Sequence, residues 1–242
     1  MNRQEMTVPA RTAPVLFEEE TVSTMTRLKE RAQELPHGAA LWSLRQTAGR
    51  GRSGRSFASP EGGLYYSMLL RFAQPDERLL AVTPLAAVAA VRALRKHSGV
   101  ETEIKWPNDI LLDGKKLCGI LTESVTGAGG MQIIVGIGIN VNTREFPEEL
   151  RDIACSIVQK TGRNGDLKAL AEILTAELDA VYAHLPEFAP EDLGEYRRKC
   201  GTLGKKISAG GTAKRIGDDF SLVTQLPDGT EREIRFGEVF QE

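Results

Sequence analysis

The segment from Thr83 to Gly99 constrains the fold more than any other part of the chain. Thr83 and Pro84 are residues that commonly open a helix, and the residues that follow, LAAVAAVRALRKHS, are apolar on nearly every side as far as Arg92. Gly99 is then suited to cap the C-terminus of the helix. A helix that is apolar nearly all round belongs in a protein interior, so the sequence predicts that this helix is buried.

Short apolar runs on both sides of this helix predict β-strands. They are separated by turn signals such as Pro107, the DGKK turn at 113–116 and the GAGG run at 127–130. Apolar residues at helical spacing predict three further helices. The predicted strands cover residues 14–20, 39–46, 64–71, 103–106, 110–112, 116–123 and 131–140, and the further helices cover 25–35, 167–185 and 191–199.

The character of the sequence changes near residue 198. From Gly201 to Glu242 the chain holds short strand-like runs that are separated by Gly204, by the Gly210–Gly211 pair and by GDD and PDG turns. Such a pattern is typical of a small all-β module. We therefore predict two domains, a larger one of helices and strands over residues 1–198 and a small β domain over residues 199–242.

Composition excludes several classes of protein. The chain has 242 residues, with 31 Lys+Arg against 33 Asp+Glu, and a net charge of −2 argues against a dedicated DNA-binding protein. No apolar run approaches the roughly 18 residues that a membrane span needs, and the N-terminus lacks the pattern of a secretory signal. Three scattered cysteines without a CxxC motif favour reduced thiols. These features predict a cytoplasmic protein.

The densest functional signal is the loop RQTAGRGRSGR at residues 45–55, where four arginines alternate with three glycines. Glycine lets backbone N–H groups approach an anion, and arginine supplies forked donors for phosphate or carboxylate oxygens. The loop also matches GxGxxG, but SFASPEGG follows it instead of the helix that a dinucleotide fingerprint requires. We interpret the loop as an anion-binding cradle, with a solvated basic loop as the alternative.

Two more clusters carry polar residues at strand ends. IKWPNDILLDGKKLCGILTES at 104–124 sets Lys105, Asn108, Asp109 and Lys116 around a turn, where oxygen ligands suit Mg²⁺ and lysines suit phosphate. IIVGIGINVN at 133–142 ends in Gly136, Gly138 and Asn140. On pattern alone the first cluster is equally consistent with a Pro-Asn-Asp turn, and the second with a core strand whose glycines relieve close packing.

Taken together, the three clusters resemble the biotin protein ligase family, in which a GRGRxGR loop, a KWPND segment running into K-L-x-G-I-L-x-E, and a GIGIN strand occur in this order. The resemblance covers about residues 15–242. It implies an α+β fold, with a mixed β-sheet catalytic domain flanked by helices and a small C-terminal SH3-like β-barrel. It also implies a ligase that joins biotin to ATP as biotinyl-5'-AMP and then transfers biotin to a lysine of a biotin carboxyl carrier protein.

The resemblance assigns roles to individual residues. It implies that Lys116, Arg50 and Arg52 are catalytic and that Asp109 is linked with Mg²⁺. The implied biotin-binding residues are Ser23, Thr24, Met25, Gln46, Arg50, Gly51, Arg52 and Lys116, and the implied ATP-binding residues are Arg55, Lys105, Asn108 and Asn140.

The sequence departs from the family at four positions. Val22 and Met25 replace an aspartate and an asparagine that flank the Ser-Thr pair, Phe57 replaces a common tryptophan, and Cys155 replaces a typical threonine. Met25 keeps open the reading that the chain is a lipoate or octanoate ligase or transferase. A biotin sensor or an adaptor without catalysis is a further alternative, although binding alone would not require Lys116 and the arginines.

The resemblance also bears on partners. Many bacterial members carry an N-terminal DNA-binding domain, but only about 14 residues precede the first predicted strand, so we expect a monofunctional form that binds no DNA operator. It allows a homodimer formed through two catalytic sheets. No membrane partner is expected.

Overall fold

The computed structural model describes residues 12–127, 130–235 and 237, and these form two β-sheets with five α-helices around the larger one. The strands are β1 (Val15–Thr21), β2 (Ala40–Gln46), β3 (Gly63–Phe72), β4 (Glu103–Lys105), β5 (Asp109–Leu112), β6 (Lys115–Gly127), β7 (Gly130–Asn140), β8 (Thr212–Ile216), β9 (Leu222–Gln225) and β10 (Glu231–Ile234). The helices are α1 (Thr24–Glu30), α2 (Val82–Ser98), α3 (Ile157–Thr161), α4 (Leu167–Tyr182) and α5 (Pro190–Lys199).

The larger sheet has seven strands in the order β1-β2-β3-β7-β6-β5-β4. β1 and β2 are parallel, and every other neighbouring pair is antiparallel. The long antiparallel strands β3, β7 and β6 occupy the centre. The predicted mixed sheet flanked by helices is therefore confirmed.

The helix that dominates the sequence is buried, as predicted. Leu85, Val88 and Leu94 of α2 have no exposed surface, because α2 packs between the sheet and helices α4 and α5. Gly99 caps the helix in the left-handed conformation, at φ 68°. The first charged residue of α2, Arg92, pairs with two buried carboxylates of α5, Asp192 and Glu195, at 2.7 Å each. These pairs connect α2 to α5.

Among the helices in the described residues, the short helix α1 alone covers the opposite face of the sheet. Met25 and Leu28 of α1 pack on Leu41, Leu69 and Ile134, which belong to strands β2, β3 and β7. α1 packs mainly on these three strands and contacts β6, β5 and β4 much less. The part of this face formed by β6 and β5 is therefore left for other groups.

The predicted turn at 113–116 is a two-residue hairpin. Leu112 pairs with Lys115, and the intervening Asp113 and Gly114 both have positive φ, at 50° and 78°. Two consecutive positive φ values define the turn type that favours Asp-Gly. Because the turn fixes the register, Lys116 lies at the start of β6.

The described part of the C-terminal region forms a three-stranded antiparallel sheet in the order β10-β9-β8. This sheet matches the predicted β character of residues 201–242. The rest of the tail, residue 236 and residues 238–242, lies outside the described residues. The SH3-like barrel stays a prediction, as does the boundary at residue 198.

Three details of the predicted secondary structure differ from the structure. The helix predicted over 25–35 ends at Glu30, and Ala32 and Leu35 pack against it from the turns that follow. The polar stretch around 143–152 is a loop, as expected, but it includes a short 3₁₀ turn at Glu148–Leu150. Helix α3 was not predicted, since its five residues are too few for a periodic pattern. Ser156 and Gln159 form a capping box that stabilises this helix.

Trp106 connects the two sheets. The indole is 2% exposed, its N–H donates to the carbonyl of Phe220 at 3.0 Å, and its backbone N–H donates to the Thr202 hydroxyl at 2.9 Å. Phe220 in turn packs against Tyr196 of α5, with ring centroids 5.3 Å apart. The segment between β4 and β5 is thus held by the C-terminal region.

Within the described part of the chain, every helix is too short or too polar to cross a membrane.

We expect Trp106→Phe to lower the free energy of unfolding by about 1–3 kcal/mol, because it leaves the buried carbonyl of Phe220 without its donor. Urea denaturation followed by far-UV circular dichroism measures this difference. The control is Trp42→Phe at a half-buried tryptophan, where we expect a smaller loss. Equal stability of the wild type and Trp106→Phe would contradict the role of this hydrogen bond.

Candidate active site

One row of residues runs straight across five strands on the face that α1 partly covers. Tyr65 lies opposite Gly138, Gly138 opposite Gly119, Gly119 opposite Asp109, and Asp109 opposite Lys105. Residues that lie directly opposite each other on neighbouring strands place their side chains on the same face. The two adjacent glycines therefore leave a hollow in the row, bordered by a tyrosine on one side and by charged residues on the other.

Two apolar side chains lie over this glycine floor. A Cβ atom added to Gly138 would lie 2.5 Å from Cε1 of Phe57, and one added to Gly119 would lie 3.0 Å from the same ring. In the next row, a Cβ at Gly136 would lie 2.5 Å from Sδ of Met25. Any larger residue would displace these side chains, so the glycines are needed for this close packing.

Lys116 stands at the edge of the hollow, and its backbone is held firmly. Its N–H donates to the carbonyl of Ile153 at 2.8 Å, and its carbonyl accepts from the N–H of Cys155 at 3.0 Å. Its ammonium group lies 2.6 Å from Oδ1 of Asp109 and 5.9 Å from the centre of the Phe57 ring. The ammonium is therefore directed toward the glycine floor rather than into bulk solvent.

Asn140 ends β7 beside this lysine. It is 6% exposed, and its amide nitrogen lies 3.5 Å from the carbonyl oxygen of Lys116. The structure thus brings together three of the predicted residues, Lys116, Asp109 and Asn140.

A second group of predicted residues forms a polar network at the start of α1. The backbone N–H of Thr24 donates to Oε1 of Gln46 at 2.9 Å, and the Thr24 hydroxyl lies 2.7 Å from that of Ser67. The Gln46 amide nitrogen donates to the hydroxyl of Ser59 at 2.9 Å. Ser23 precedes Thr24 as the buried N-cap residue of α1. These groups can exchange their mutual hydrogen bonds for bonds to a polar ligand.

The arginines of the glycine-rich loop divide between two directions. Arg50 pairs with Glu123 of β6 at 3.1 Å. Arg52 donates to the side-chain oxygen of Asn108 at 2.9 Å and to the carbonyl of Gly237 at 2.6 Å. Arg55 is exposed, and its side chain donates to the carbonyl of Arg52 at 3.3 Å. The loop is thus anchored to both β6 and the C-terminal region.

Arg52 and Asn108 also line a cavity of about 530 Å³ between the large sheet and the C-terminal region. Aromatic residues form much of its wall, and further arginines and acids surround it. Its lining includes Arg78, Trp106, Phe188, Phe220 and Arg235. The volume suits a small organic ligand.

The predicted residues therefore form three groups. Lys116, Asp109, Asn140 and Lys105 lie around the glycine floor, and Thr24, Met25 and Gln46 lie at the start of α1. Arg52 and Asn108 contact each other at the cavity beside the C-terminal region, where Arg55 also donates to the carbonyl of Arg52. Arg50 pairs instead with Glu123 of β6.

Three residues of the site had no assigned role in the sequence. Ser59 and Ser67 complete the network around Gln46 and Thr24, and Glu123 holds Arg50. Glu123 ends the K-L-x-G-I-L-x-E segment, so the motif carried a signal for it. No local pattern marks Ser67, because it reaches Thr24 only through the pairing of strands far apart in the sequence.

The three cysteines are free thiols in the structure. Cys118 and Cys200 are buried, and Cys155 is half-buried beside Lys116. Its thiol contacts the carbonyl oxygens of Leu112 and Lys115 at 3.6 and 3.5 Å. Burial raises the pKa of the Cys155 thiol to about 11, so this group is neutral at ordinary pH.

Comparison with known proteins agrees with this geometry. Residues 18–140 match the family described as the Biotin/lipoate A/B protein ligase family. The structure resembles that of "Biotin protein ligase from Aquifex aeolicus in complex with biotin and ATP", with a TM-score of 0.78 and 32% identity over 94% of this chain and 98% of that one.

Curated relatives give the same result. The bifunctional ligase/repressor BirA of Bacillus subtilis is 46% identical over 135 residues, which are 54% of this chain and 42% of that protein. BirA of Escherichia coli is 37% identical over 177 residues, which are 72% of this chain and 54% of that protein. The chain spans about half the length of these relatives.

The fold and the site define an α+β protein that carries cationic groups beside a glycine floor on one face of its mixed sheet. The chain belongs to the biotin/lipoate A/B protein ligase family.

We expect Cys155 to react with iodoacetamide at pH 8 more than about 100-fold more slowly than an unperturbed thiol, because only the thiolate reacts and a pKa near 11 leaves little of it. The rate should rise about tenfold per pH unit until the pH nears that pKa. Peptide mapping by mass spectrometry measures the rate. In urea all three cysteines should react normally, and rapid labelling of the folded protein would contradict the buried environment.

Proposed function

We propose that this protein is an ATP-dependent ligase that activates biotin as biotinyl-5'-AMP and transfers the biotinyl group to a lysine of a biotin carboxyl carrier protein. The observation that carries the proposal is the glycine-floored hollow with the Lys116 ammonium at its border. The Phe57 ring packs directly on this floor, and a flat, largely apolar ring system would lie on the two glycines in its place. The similar structure of biotin protein ligase from Aquifex aeolicus in complex with biotin and ATP supports this proposal.

The chemistry explains why cations surround the hollow. In the first step an oxygen of the biotin carboxylate attacks the α-phosphorus of ATP, and the bond to pyrophosphate breaks. The two reactants are both anions, so cationic groups offset their repulsion and stabilise the charge that builds on the phosphate. Lys116 meets this need with three N–H donors on a single ammonium group. Arg50 and Arg52 supply further positive charge from the loop.

In the second step the amine of the acceptor lysine attacks the carbonyl carbon of the mixed anhydride, and AMP leaves. The nucleophile belongs to the partner, so the ligase needs none of its own. The protein's task is to position the anhydride and to exclude water. The glycine-rich loop continues into Phe57, and the Phe57 ring lies over the glycine floor. This segment is suited to that task.

For the remaining predicted residues we propose the roles that the family resemblance implies. Ser23, Thr24, Met25 and Gln46 would receive the ring system of biotin, since their network offers both donors and acceptors. Gly51 lets the loop backbone come close to the bound acid. Arg55, Lys105, Asn108 and Asn140 would contact the nucleotide.

Mg²⁺ enters such a reaction bound to the phosphates of ATP, where it neutralises charge. The protein groups near Asp109 do not fit a metal ion held by the protein itself. Asp109 supplies one carboxylate, which is already paired with Lys116, and the amide oxygen of Asn108 accepts from Arg52.

The partners are proposed on the same basis. The acceptor is a biotin carboxyl carrier protein of acetyl-CoA carboxylase or of a related carboxylase. A homodimer through the catalytic sheets, a C-terminal SH3-like barrel, a cytoplasmic location and the lack of operator binding all stay predictions.

A lipoate or octanoate ligase is the second candidate, and one observation favours it. Met25 is 5% exposed and its sulfur lies against Gly136, so the hollow gains apolar surface at a position where a polar side chain could bind a ureido group. Pyrophosphate exchange with biotin, lipoate and octanoate in parallel separates the two. We expect exchange with biotin, and exchange with lipoate or octanoate alone would establish the second candidate.

We expect Lys116→Ala or Arg52→Ala to lower the rate of biotin-dependent pyrophosphate exchange by about 10²- to 10³-fold, because each removes a cation that faces developing charge. The matched control is Lys115→Ala. Its ammonium donates to the exposed carbonyl of Arg151, so its loss should change the rate by less than about threefold. Circular dichroism checks that each variant folds. Unchanged rates for both Lys116→Ala and Arg52→Ala would refute these roles.

A further inference from the structure

Asp109 lies between two lysines. Its Oδ1 atom is 2.6 Å from the ammonium nitrogen of Lys116, and its strand position is directly opposite Lys105, so both side chains share one face of the sheet. The carboxylate is largely buried, with a side-chain exposure of 20%. A single acidic group is thus surrounded by cations.

This arrangement is unfavourable for a divalent cation. Mg²⁺ beside Asp109 would be repelled by the ammonium group of Lys116, while only one carboxylate would attract it, and that carboxylate is engaged in an ion pair. Among the residues that the structure describes, no group of three or more His, Cys, Asp or Glu side chains is arranged to hold a metal. The local charge instead favours an anion.

We propose that Asp109 is a positioning residue, which holds the ammonium group of Lys116 at the hollow, and that it does not ligate a metal. This inference rests on the proposed function, since it explains how Lys116 acts in it. A lysine side chain has four rotatable bonds, and holding it in one geometry costs conformational entropy. The ion pair with Asp109 restricts the lysine side chain before substrate arrives, so less conformational entropy is lost during the reaction.

The rest of the lysine is already fixed, which makes its far end the part that needs a partner. Ile153 and Cys155 hold its backbone from one side, and Leu111 of β5 pairs with it on the other. The Phe57 ring and Gly119 border its side chain. An ammonium has three donors, so one can stay with Asp109 while the other two reach the substrate carboxylate and the α-phosphate.

A double-mutant cycle tests the proposal through the kcat and KM of biotin-dependent pyrophosphate exchange. It compares the wild type, Asp109→Asn, Lys116→Ala and the double variant. Asp109→Asn alone should lower kcat about 10- to 100-fold and leave the KM for ATP within about threefold, since a displaced catalytic group loses rate more than binding. In the Lys116→Ala background, Asp109→Asn should change kcat by less than about twofold, because the group on which it acts is gone.

Two results would overturn the proposal. One is a full multiplicative loss of kcat in the double variant, which would mean that Asp109 acts independently of Lys116. The other is a direct link to Mg²⁺, which two measurements can show. A high Mg²⁺ concentration would restore the kcat of Asp109→Asn, or isothermal titration calorimetry would show a binding site for MgCl₂ in the ligand-free wild type that Asp109→Asn removes. Either of these two Mg²⁺ results would assign Asp109 to the metal.

Asp113→Asn is the matched control. Asp113 lies in the adjacent hairpin turn, where Asn also tolerates the positive φ, and its carboxylate pairs with Lys160 outside the site. We expect wild-type kcat from it. The wild type separates the two claims: if it exchanges pyrophosphate with none of the three acids, the proposed function fails, whereas an active wild type with an additive cycle refutes only the role of Asp109.

Discussion

The absence of two side chains determines what this protein can hold. Gly119 and Gly138 lie opposite each other on the central strands β6 and β7, and together they open a hollow in a sheet that is otherwise closely packed. The opposite face of the same strands carries Ile120, Ile137 and other large residues against α2. One sheet therefore serves as a rigid wall on one side and as the floor of a site on the other. The rigidity comes from burial, since residues 85–91 of the helix behind the floor are all buried.

The charged groups of the site are arranged by elements that are distant in sequence. Glu123 of β6 holds Arg50, Asn108 holds Arg52, and Asp109 holds Lys116. Each cation therefore has a defined partner in the ligand-free protein. An incoming anion must compete with that partner. Because the long side chains are already ordered, the protein does not have to order them during the reaction. This is the physical meaning of a preorganised site.

Much of the fold was predictable, because it depends on local patterns. The buried helix α2, the Asp-Gly hairpin and the strands of the large sheet all carry period, cap or turn signals within a few residues. The glycine floor was not predictable in this way. It depends on the register that places Gly138 of β7 between Tyr65 of β3 and Gly119 of β6, and strand register across such separations leaves no local trace. The sequence indicated candidate residues, while their grouping required the strand order.

The partners of the arginine loop were not predictable from local patterns either. The sequence showed four positive charges without a nearby acid, and the structure gives Arg50 and Arg52 partners that are distant in the sequence. The bond from Arg52 to the carbonyl of Gly237 spans 185 positions in the sequence. It ties the loop near the beginning of the chain to the region near its end. Withdrawal of the loop from the sheet must break this bond, so access to the hollow and the seating of the tail are one coupled motion rather than two separate ones.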